Sequence, residues 1–315
     1  MTLAIGTASR RPTRTTTGIV IAVVSAAAYG TSGSLAHPLL DLGWSAAAVT
    51  LLRLGGAGLV LAIPAALALR RWRPSRAGVL RLIAYGLTAT GGAQLCYFNA
   101  IRYLPVGTAS LLEFTAPIWL LGYVWIRHGR RPSRSLLISA ALALLGLVLV
   151  LDLFGGSTTG FDPRGLAWGF GSAFCLCAYF LLSDDHVDAP PPVLMAGAGM
   201  LIGATMVAVV GIIGVLPLTV APGTVTIGAA RVGWQIAGAS VILVPTVFAY
   251  LAGISAVRRL GSGPASFVAL AEVIFAGLFG AILLGQLPSP VQLLGMALVV
   301  TGIAIAQRRQ VTETV

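Results

Sequence analysis

Ten long apolar stretches separated by short polar joints make up most of the chain. A helix needs about 20 predominantly apolar residues to cross the hydrocarbon core of a bilayer, and each stretch is close to that length. The pattern therefore predicts an all-α integral membrane protein with ten transmembrane helices. The predicted spans are 18–36, 45–69, 79–101, 105–126, 135–152, 165–183, 192–216, 232–255, 264–284 and 289–306.

Most joints carry proline or glycine, which end or bend helices. The first joint is expected at His37-Pro38, and the longest one near the middle contains Gly155-Gly156-Ser157-Thr158-Thr159-Gly160, which is typical of a flexible linker. The expected organisation is an amino-terminal tail (1–17), a first five-helix unit (18–152), a linker (153–164), a second five-helix unit (165–306) and a carboxy-terminal tail (307–315).

Composition agrees with the membrane prediction and excludes several activities. Hydrophobic residues make up 57% of the chain and charged residues only 9%, whereas soluble domains are about 25% charged. All 20 basic residues are arginine. The chain therefore has no lysine for a nucleotide-binding P-loop and none for a Schiff base with a cofactor. Because Cys96, Cys175 and Cys177 lie in apolar runs, they are expected to be packing residues, and we expect no cofactor and no metal.

The placement of the arginines predicts the orientation in the membrane. With both termini in the cytoplasm, 16 of the 20 arginines lie on the cytoplasmic side, as the positive-inside rule requires. Arg102, Arg164 and Arg231 then lie outside, and Arg53 lies within a span. Since the net charge of +11 sits in clusters between apolar runs, a nucleic-acid partner is not expected.

The chain repeats itself at an offset of 156 residues. Residues 100–110 read Ala-Ile-Arg-x-Leu-x-x-Gly-x-Ala-Ser, and residues 256–266 read Ala-Val-Arg-x-Leu-x-x-Gly-x-Ala-Ser. The offset covers five predicted spans, an odd number, so equivalent segments would cross the membrane in opposite directions. Inverted repeats of this kind are the recurrent architecture of secondary transporters, with the substrate site near the midplane between the halves.

Several motifs resemble one known family, the EamA-type members of the drug/metabolite transporter superfamily. The resemblance covers residues 18–306 and is most specific in Leu-Leu-Glu-Phe-Thr-Ala-Pro (111–117), Ala-Leu-Ala-Glu-Val-Ile-Phe-Ala (269–276) and Leu-Gly-Gln-Leu (284–287). Two departures are Val273, where the family often has proline, and Gln286, where it tends to have glutamate. The resemblance implies two five-helix repeats, cytoplasmic termini and a permease for small metabolites or drugs, often an exporter.

Three formal charges fall well inside the predicted spans: Arg53, Glu113 and Glu272. An ionisable residue at such depth costs about 3 kcal/mol on insertion scales and is a functional candidate by default. Arg53 and Glu113 lie at similar depths, roughly 10–12 Å below the outer surface at 1.5 Å of rise per residue, which would allow an ion pair.

Two interpretations of these charges remain open. In the structural one, Arg53 pairs with Glu113, and neighbouring helices hydrogen-bond Glu272. In the functional one, a glutamate carries the coupling proton, because desolvation favours its neutral form, while Arg53 attracts an anionic substrate group. We favour Glu272 as the proton carrier, since the sequence places no basic residue at its depth.

Polar residues without formal charge complete the candidate site. Gln94, Tyr97 and Trp119 sit deep in the third and fourth predicted spans, where the family's cavities are lined. The other candidates are expected to be interface anchors or packing residues, namely Tyr29, Asn99, Tyr179, Trp234, Gln235 and Tyr250.

These observations predict a secondary active transporter of a small metabolite, amino acid or drug, working by alternating access in a bacterial cell membrane. A proton gradient or exchange would drive it, because the sequence shows no nucleotide site. Its expected partners are a small-molecule substrate and the lipid bilayer, and a homodimer is left open. The alternative is a membrane-embedded enzyme acting on a lipid-linked substrate.

Overall fold

The computed structural model describes residues 12–104, 106–129, 132–151, 162–184, 188–285 and 287–312. Most of the expected linker, most of the amino-terminal tail and Gln286 lie outside these residues. The helices are α1 (Pro12–Asp41), α2 (Ala46–Arg71), α3 (Arg76–Tyr85), α4 (Ala93–Ala100), α5 (Val106–Glu113), α6 (Ala116–His128), α7 (Arg134–Val150), α8 (Pro163–Ser183), α9 (Pro192–Ile212), α10 (Trp234–Ile242), α11 (Ala249–Leu260), α12 (Ser262–Ala269), α13 (Ala271–Leu284) and α14 (Pro290–Thr312).

Seven helical segments of the described chain are long and apolar enough to cross a bilayer. Two shorter apolar helices, Arg134–Val150 and Pro290–Ala306, accompany them. The third predicted span is helical throughout, because a π-helical segment, Gly86–Gly92, joins α3 to α4. The chain is therefore a multi-pass helical membrane protein.

The first joint was predicted wrongly, because His37 and Pro38 lie inside α1 rather than after it. Proline lacks the N–H that would bond to the carbonyl four residues earlier, but this loss falls in the last turn of the helix. There His37 Nδ1 and Asp41 Oδ2 lie 2.8 Å apart, one turn from each other. The helix then stops at Gly43, whose φ of 104° is accessible chiefly to glycine.

A short β-hairpin, which the sequence pattern did not predict, interrupts the otherwise all-helical chain. Strands β1 (Thr224–Ile227) and β2 (Ala230–Gly233) pair antiparallel, with Val225 opposite Val232. Val225 is buried against Leu39 and Trp44 at the end of α1 and the start of α2. Because β2 takes residues 230–233, the predicted span 232–255 begins only at Trp234.

The repeat seen in the sequence is visible in the helix irregularities. A second π-helical segment, Leu243–Phe248, lies 156 residues after residues 87–92. The helix break at Phe114 likewise recurs at Leu270. Thr90 and Thr246, also 156 apart, are both fully buried and donate their hydroxyls to the carbonyls of Gly86 and Val241. Both halves therefore carry the same local distortions at equivalent positions.

Equivalent helices of the two halves pack against each other through glycines. A methyl group on Gly146 of α7 would lie 2.5 Å from the carbonyl oxygen of Gly295 in α14. One on Gly302 would lie 2.8 Å from the carbonyl oxygen of Ser139. Late residues of each helix thus meet early residues of the other, so α7 and α14 run antiparallel.

This contact predicts that Gly146→Ala destabilises the protein. The added methyl group meets backbone on the facing helix, which cannot move away as a side chain can, and overpacking of this kind costs about 1–3 kcal/mol. Thermal unfolding of the purified chain in detergent should show a lower Tm.

Gly122→Ala is the matched control, because in the part of the chain that the structure describes no neighbouring atom lies within 4 Å of a methyl group added at Gly122 in α6. It should melt at or above the temperature of the unaltered chain. Equal Tm values for the two variants would contradict the close α7–α14 contact.

Candidate functional site

A cavity of about 550 Å³ lies among the helices of both halves. At one end its lining reaches His37 and Leu40, whose side chains are exposed. Towards the opposite end the lining residues Ala22, Ala256 and Val257 are buried. The cavity therefore communicates with the surface at the first end, called here the His37 end.

The opposite end, called here the Arg81 end, is held together by polar contacts between α3 and α8. Arg81 donates to the carbonyls of Leu182 at 2.7 Å and of Leu181 and Asp184 at 2.9 Å. The Asp184 carboxylate accepts from the backbone N–H of Ser262 at 3.1 Å. Arg258 donates to the carbonyl of Pro190 at the same end.

All three charges predicted from the sequence line the cavity: Arg53, Glu113 and Glu272. Their positions follow from the helix irregularities described above. Glu113 is the last residue of α5, immediately before the break at Phe114. Glu272 lies in the first turn of α13, immediately after the break at Leu270. Each glutamate thus sits beside a helix break in its own half.

Arg53 is fixed by a neighbour in the second half of the chain. Its Nε donates to Thr246 Oγ1 at 3.3 Å, and that hydroxyl in turn donates to the carbonyl of Val241 at 2.8 Å. The π-helical segment Leu243–Phe248 places Thr246 at this point. Within the described residues, neither Nη1 nor Nη2 has a hydrogen-bond acceptor.

The structural interpretation of an Arg53–Glu113 ion pair is not what the structure shows. Among the described residues, the ion pair within 4 Å is His37–Asp41. Arg53 instead lines the same cavity as Glu113 and Glu272. The three side chains therefore face a shared space without an ion pair within 4 Å among the described residues.

The uncharged candidates divide between the cavity and the outer surface. Gln94 and Tyr97 line the cavity, and the hydroxyls of Tyr97 and Ser110 lie 3.2 Å apart. Trp119 does not line it: its indole N–H donates to Thr115 at 3.0 Å and its ring contacts Phe174. With 39% of its surface exposed, Trp119 packs on the outside of the bundle.

Three tyrosines, predicted from the sequence as interface anchors or packing residues, face the cavity instead of the membrane interface. Tyr29, Tyr179 and Tyr250 line the cavity, with ring centroids 5.2 Å apart for Tyr29–Tyr250 and 5.9 Å for Tyr179–Tyr250. A signal was available for Thr246, because Thr90 repeats it at the offset of 156.

A charged cavity between two related sets of membrane helices is the construction of a membrane transporter. Comparison with known proteins identifies the family of transporters. The profile of the EamA-like transporter family matches residues 16–152 and again residues 163–307. The chain belongs to this family, as its sequence motifs predicted.

Individual relatives cover nearly the whole chain. The threonine/homoserine exporter RhtA of Escherichia coli strain K12 is 30% identical over 90% of this chain and 88% of its own. RhtA of Salmonella typhimurium strain LT2 is 28% identical over the same shares. The uncharacterised transporter YwfM of Bacillus subtilis strain 168 is 24% identical over 70% of this chain and 71% of its own. Family and relatives are transporters and not enzymes, which sets the enzyme alternative aside.

The fold also matches a solved structure, titled only as the crystal structure of a protein. It covers 93% of this chain and 97% of its own, with a TM-score of 0.71 and 18% identity. At this identity the likeness shows a shared fold.

The geometry predicts that Gly33→Cys reacts with a membrane-impermeant thiol reagent, in a chain whose three native cysteines are replaced by alanine. Gly33 lines the cavity, and no neighbouring atom of the described residues lies within 4 Å of an added Cβ. Water in the cavity lets its thiol ionise, and the thiolate is the reactive form. Labelling can be followed by a mass shift of the purified protein.

Gly122→Cys is the matched control, because Gly122 is equally uncrowded but lies outside the cavity lining. It should label at least about tenfold more slowly, since a thiol facing lipid stays protonated. Equal labelling of the two positions would contradict a water-filled cavity at Gly33.

Proposed function

We propose that the chain is a secondary transporter that exports a small polar solute, of amino-acid size, by alternating access. The observation that carries this proposal is the cavity itself. It brings Arg53, Glu113 and Glu272 together between the two halves and reaches the surface at the His37 end. Ionisable residues at membrane depth that face a common cavity mark substrate and ion pathways.

The names of the relatives indicate which solutes to test first. RhtA is named for the export of threonine and homoserine. Both are small, neutral amino acids, and the cavity offers hydroxyl, cationic and anionic partners to such a molecule. We therefore take neutral amino acids as the first candidate substrates of this chain.

The proposed topology has ten spans, with the two halves inverted in a bacterial cell membrane. The antiparallel contact of α7 with α14 supports the inversion, because equivalent helices of two parallel halves would point the same way. The Arg81 end is proposed to face the cytoplasm with both termini, and the His37 end to face outwards. The clustering of arginines supports this orientation, and association of two copies stays a prediction.

Alternating access requires the two ends to open in turn. In the conformation described here the His37 end is open, and the contacts of Arg81, Asp184 and Arg258 keep the Arg81 end shut. These contacts are proposed to separate in the opposite state. Two similar halves support such an exchange, because swapping their conformations yields a second state of comparable energy.

The proposed driving force is a proton gradient coupled through Glu272. Its carboxylate faces the cavity, where it can exchange a proton with water. Glu272 has no hydrogen-bond donor or ion-pair partner within 4 Å among the described side chains, so its protonation breaks no structural contact. A carboxylate in this setting suits a reversible proton carrier.

Glu272→Gln should abolish threonine uptake driven by a pH gradient into inside-out vesicles, lowering the initial rate at least about tenfold. Glutamine keeps the shape of the side chain but cannot bind and release the proton. Exchange of labelled for unlabelled threonine without a gradient should continue, because exchange needs no net proton movement.

Asp188→Asn provides the control, since Asp188 is exposed at the Arg81 end and does not line the cavity. It should leave gradient-driven uptake unchanged. Normal gradient-driven uptake by Glu272→Gln would reject Glu272 as the proton carrier.

A further inference from the structure

We infer that Arg53 and Glu113 form two subsites for a zwitterionic α-amino acid, the arginine taking its carboxylate and Glu113 its ammonium group. Glu272 is thereby left for the coupling proton. This inference rests on the proposed function and adds the recognition chemistry of the same cavity. It gives Glu113 a role in substrate binding, separate from the proton-carrying role of Glu272.

The geometry of Arg53 suits a carboxylate. Thr246 holds the guanidinium through Nε alone, which leaves the two terminal nitrogens directed to the cavity that Arg53 lines. Two parallel N–H donors match the two oxygens of a carboxylate in a bidentate pair, which is stronger and more selective than a single hydrogen bond.

Arg53 has no basic counterpart in the second half, because residue 209, 156 positions later, is valine. The single hydroxyl proton of Thr90, the equivalent of Thr246, is shared between the carbonyls of Gly86 at 2.7 Å and of Gly199 in α9 at 2.8 Å, whereas Thr246 accepts from Arg53 in α2. A side chain on Gly199 would collide with the ring of Tyr85. The anion subsite therefore has no counterpart in the other half, so the substrate is bound in one defined direction.

The two glutamates differ in their helix environment. Glu113 ends α5, where the carbonyl dipoles give the helix a partial negative charge, whereas Glu272 lies in the first turn of α13 at the positive end. A cationic ammonium group is favoured where a carboxylate and a helix carboxy-terminal end coincide. This condition is met at Glu113 and not at Glu272.

The proton and the substrate of a proton-driven exporter occupy the cavity in turn. With the proton on Glu272, Arg53 and an ionised Glu113 balance each other and the cavity without substrate is neutral. The zwitterion binds after Glu272 has released that proton, and its two charges meet Arg53 and Glu113. An analogue that lacks one of the two substrate charges leaves Arg53 or Glu113 without its partner inside the closed cavity, which is costly, so it should be rejected.

Binding of three related ligands to the purified full-length chain in detergent tests the inference without relying on transport. The ligands are L-threonine, L-threoninamide, which lacks the carboxylate, and 3-hydroxybutyrate, which lacks the ammonium group. The unaltered chain should bind threonine at least about tenfold more tightly than either analogue, the size expected for one lost charged hydrogen bond. Titration calorimetry gives the three Kd values.

Residue changes combined with these analogues isolate each subsite. In Arg53→Gln, threonine and threoninamide should bind about equally weakly, because the carboxylate has lost its partner. In Glu113→Gln, the advantage of threonine over 3-hydroxybutyrate should disappear while its advantage over threoninamide remains. Thr246→Val removes the hydroxyl that positions Arg53 and that also donates to the carbonyl of Val241, and it should weaken threonine binding and leave threoninamide binding unchanged. Thr90→Val is its control, since Thr90 makes the equivalent bond to a backbone carbonyl and, among the described residues, has no hydrogen bond to a charged side chain.

The outcomes separate this inference from the proposed function. If Arg53→Gln keeps the full preference for threonine over threoninamide, with an unchanged Tm that shows it is folded, the subsite assignment is overturned. If no member of a panel of the twenty standard amino acids binds, while vesicles still transport another solute, the zwitterion inference fails and transport stands. If amino acids bind with the predicted preferences but vesicles transport nothing, the proposed function fails alone.

Discussion

The cost of placing charge inside a membrane is the constraint on which this structure depends. Arg53, Glu113 and Glu272 lie in spans that are otherwise apolar, and a bilayer offers them neither water nor counter-ions. The fold meets this constraint by directing all three into one cavity that reaches the surface at the His37 end. The cavity thus lowers the cost of placing these side chains within the membrane. It also gives them access to a solute.

Irregular helices build that cavity, and each half supplies the same ones. The breaks at Phe114 and Leu270 carry the two glutamates, and the π-helical segments bring Thr90 and Thr246 to equivalent places. Backbone distortion within a membrane is tolerated where it is buried in protein or lines a cavity. The two halves differ at these threonines. Thr246 accepts a hydrogen bond from the side chain of Arg53, whereas the hydroxyl of Thr90 faces the carbonyl of Gly199.

Much of this organisation could be predicted from the sequence. There are physical reasons why the remaining features could not be. Charged residues are rare within the apolar runs, and this rarity identified Arg53, Glu113 and Glu272 as candidates. An ionisable side chain within a membrane span is costly and is therefore a functional candidate by default. Trp119 was predicted to line the cavity but lies outside its lining, since after the break at Phe114–Thr115 α6 turns Pro117 to the cavity and Trp119 away from it. The sequence did not distinguish the cavity tyrosines, Tyr29, Tyr179 and Tyr250, from interface anchors. A tyrosine has an apolar ring and a polar hydroxyl, so it suits either a membrane interface or a cavity. The hairpin over Trp44 was missed because strands of four residues leave too short a pattern.

Alternating access is tested most directly by two inter-residue distances measured in one protein. Spin labels on Leu40 and Leu151 report the His37 end, and labels on Arg76 and Arg259 report the Arg81 end, with double electron–electron resonance giving each distance in liposomes. When low pH protonates the outward-open cavity, we predict that the first distance shortens as the second lengthens. Distances that change together, or that stay fixed while transport proceeds, would contradict the account.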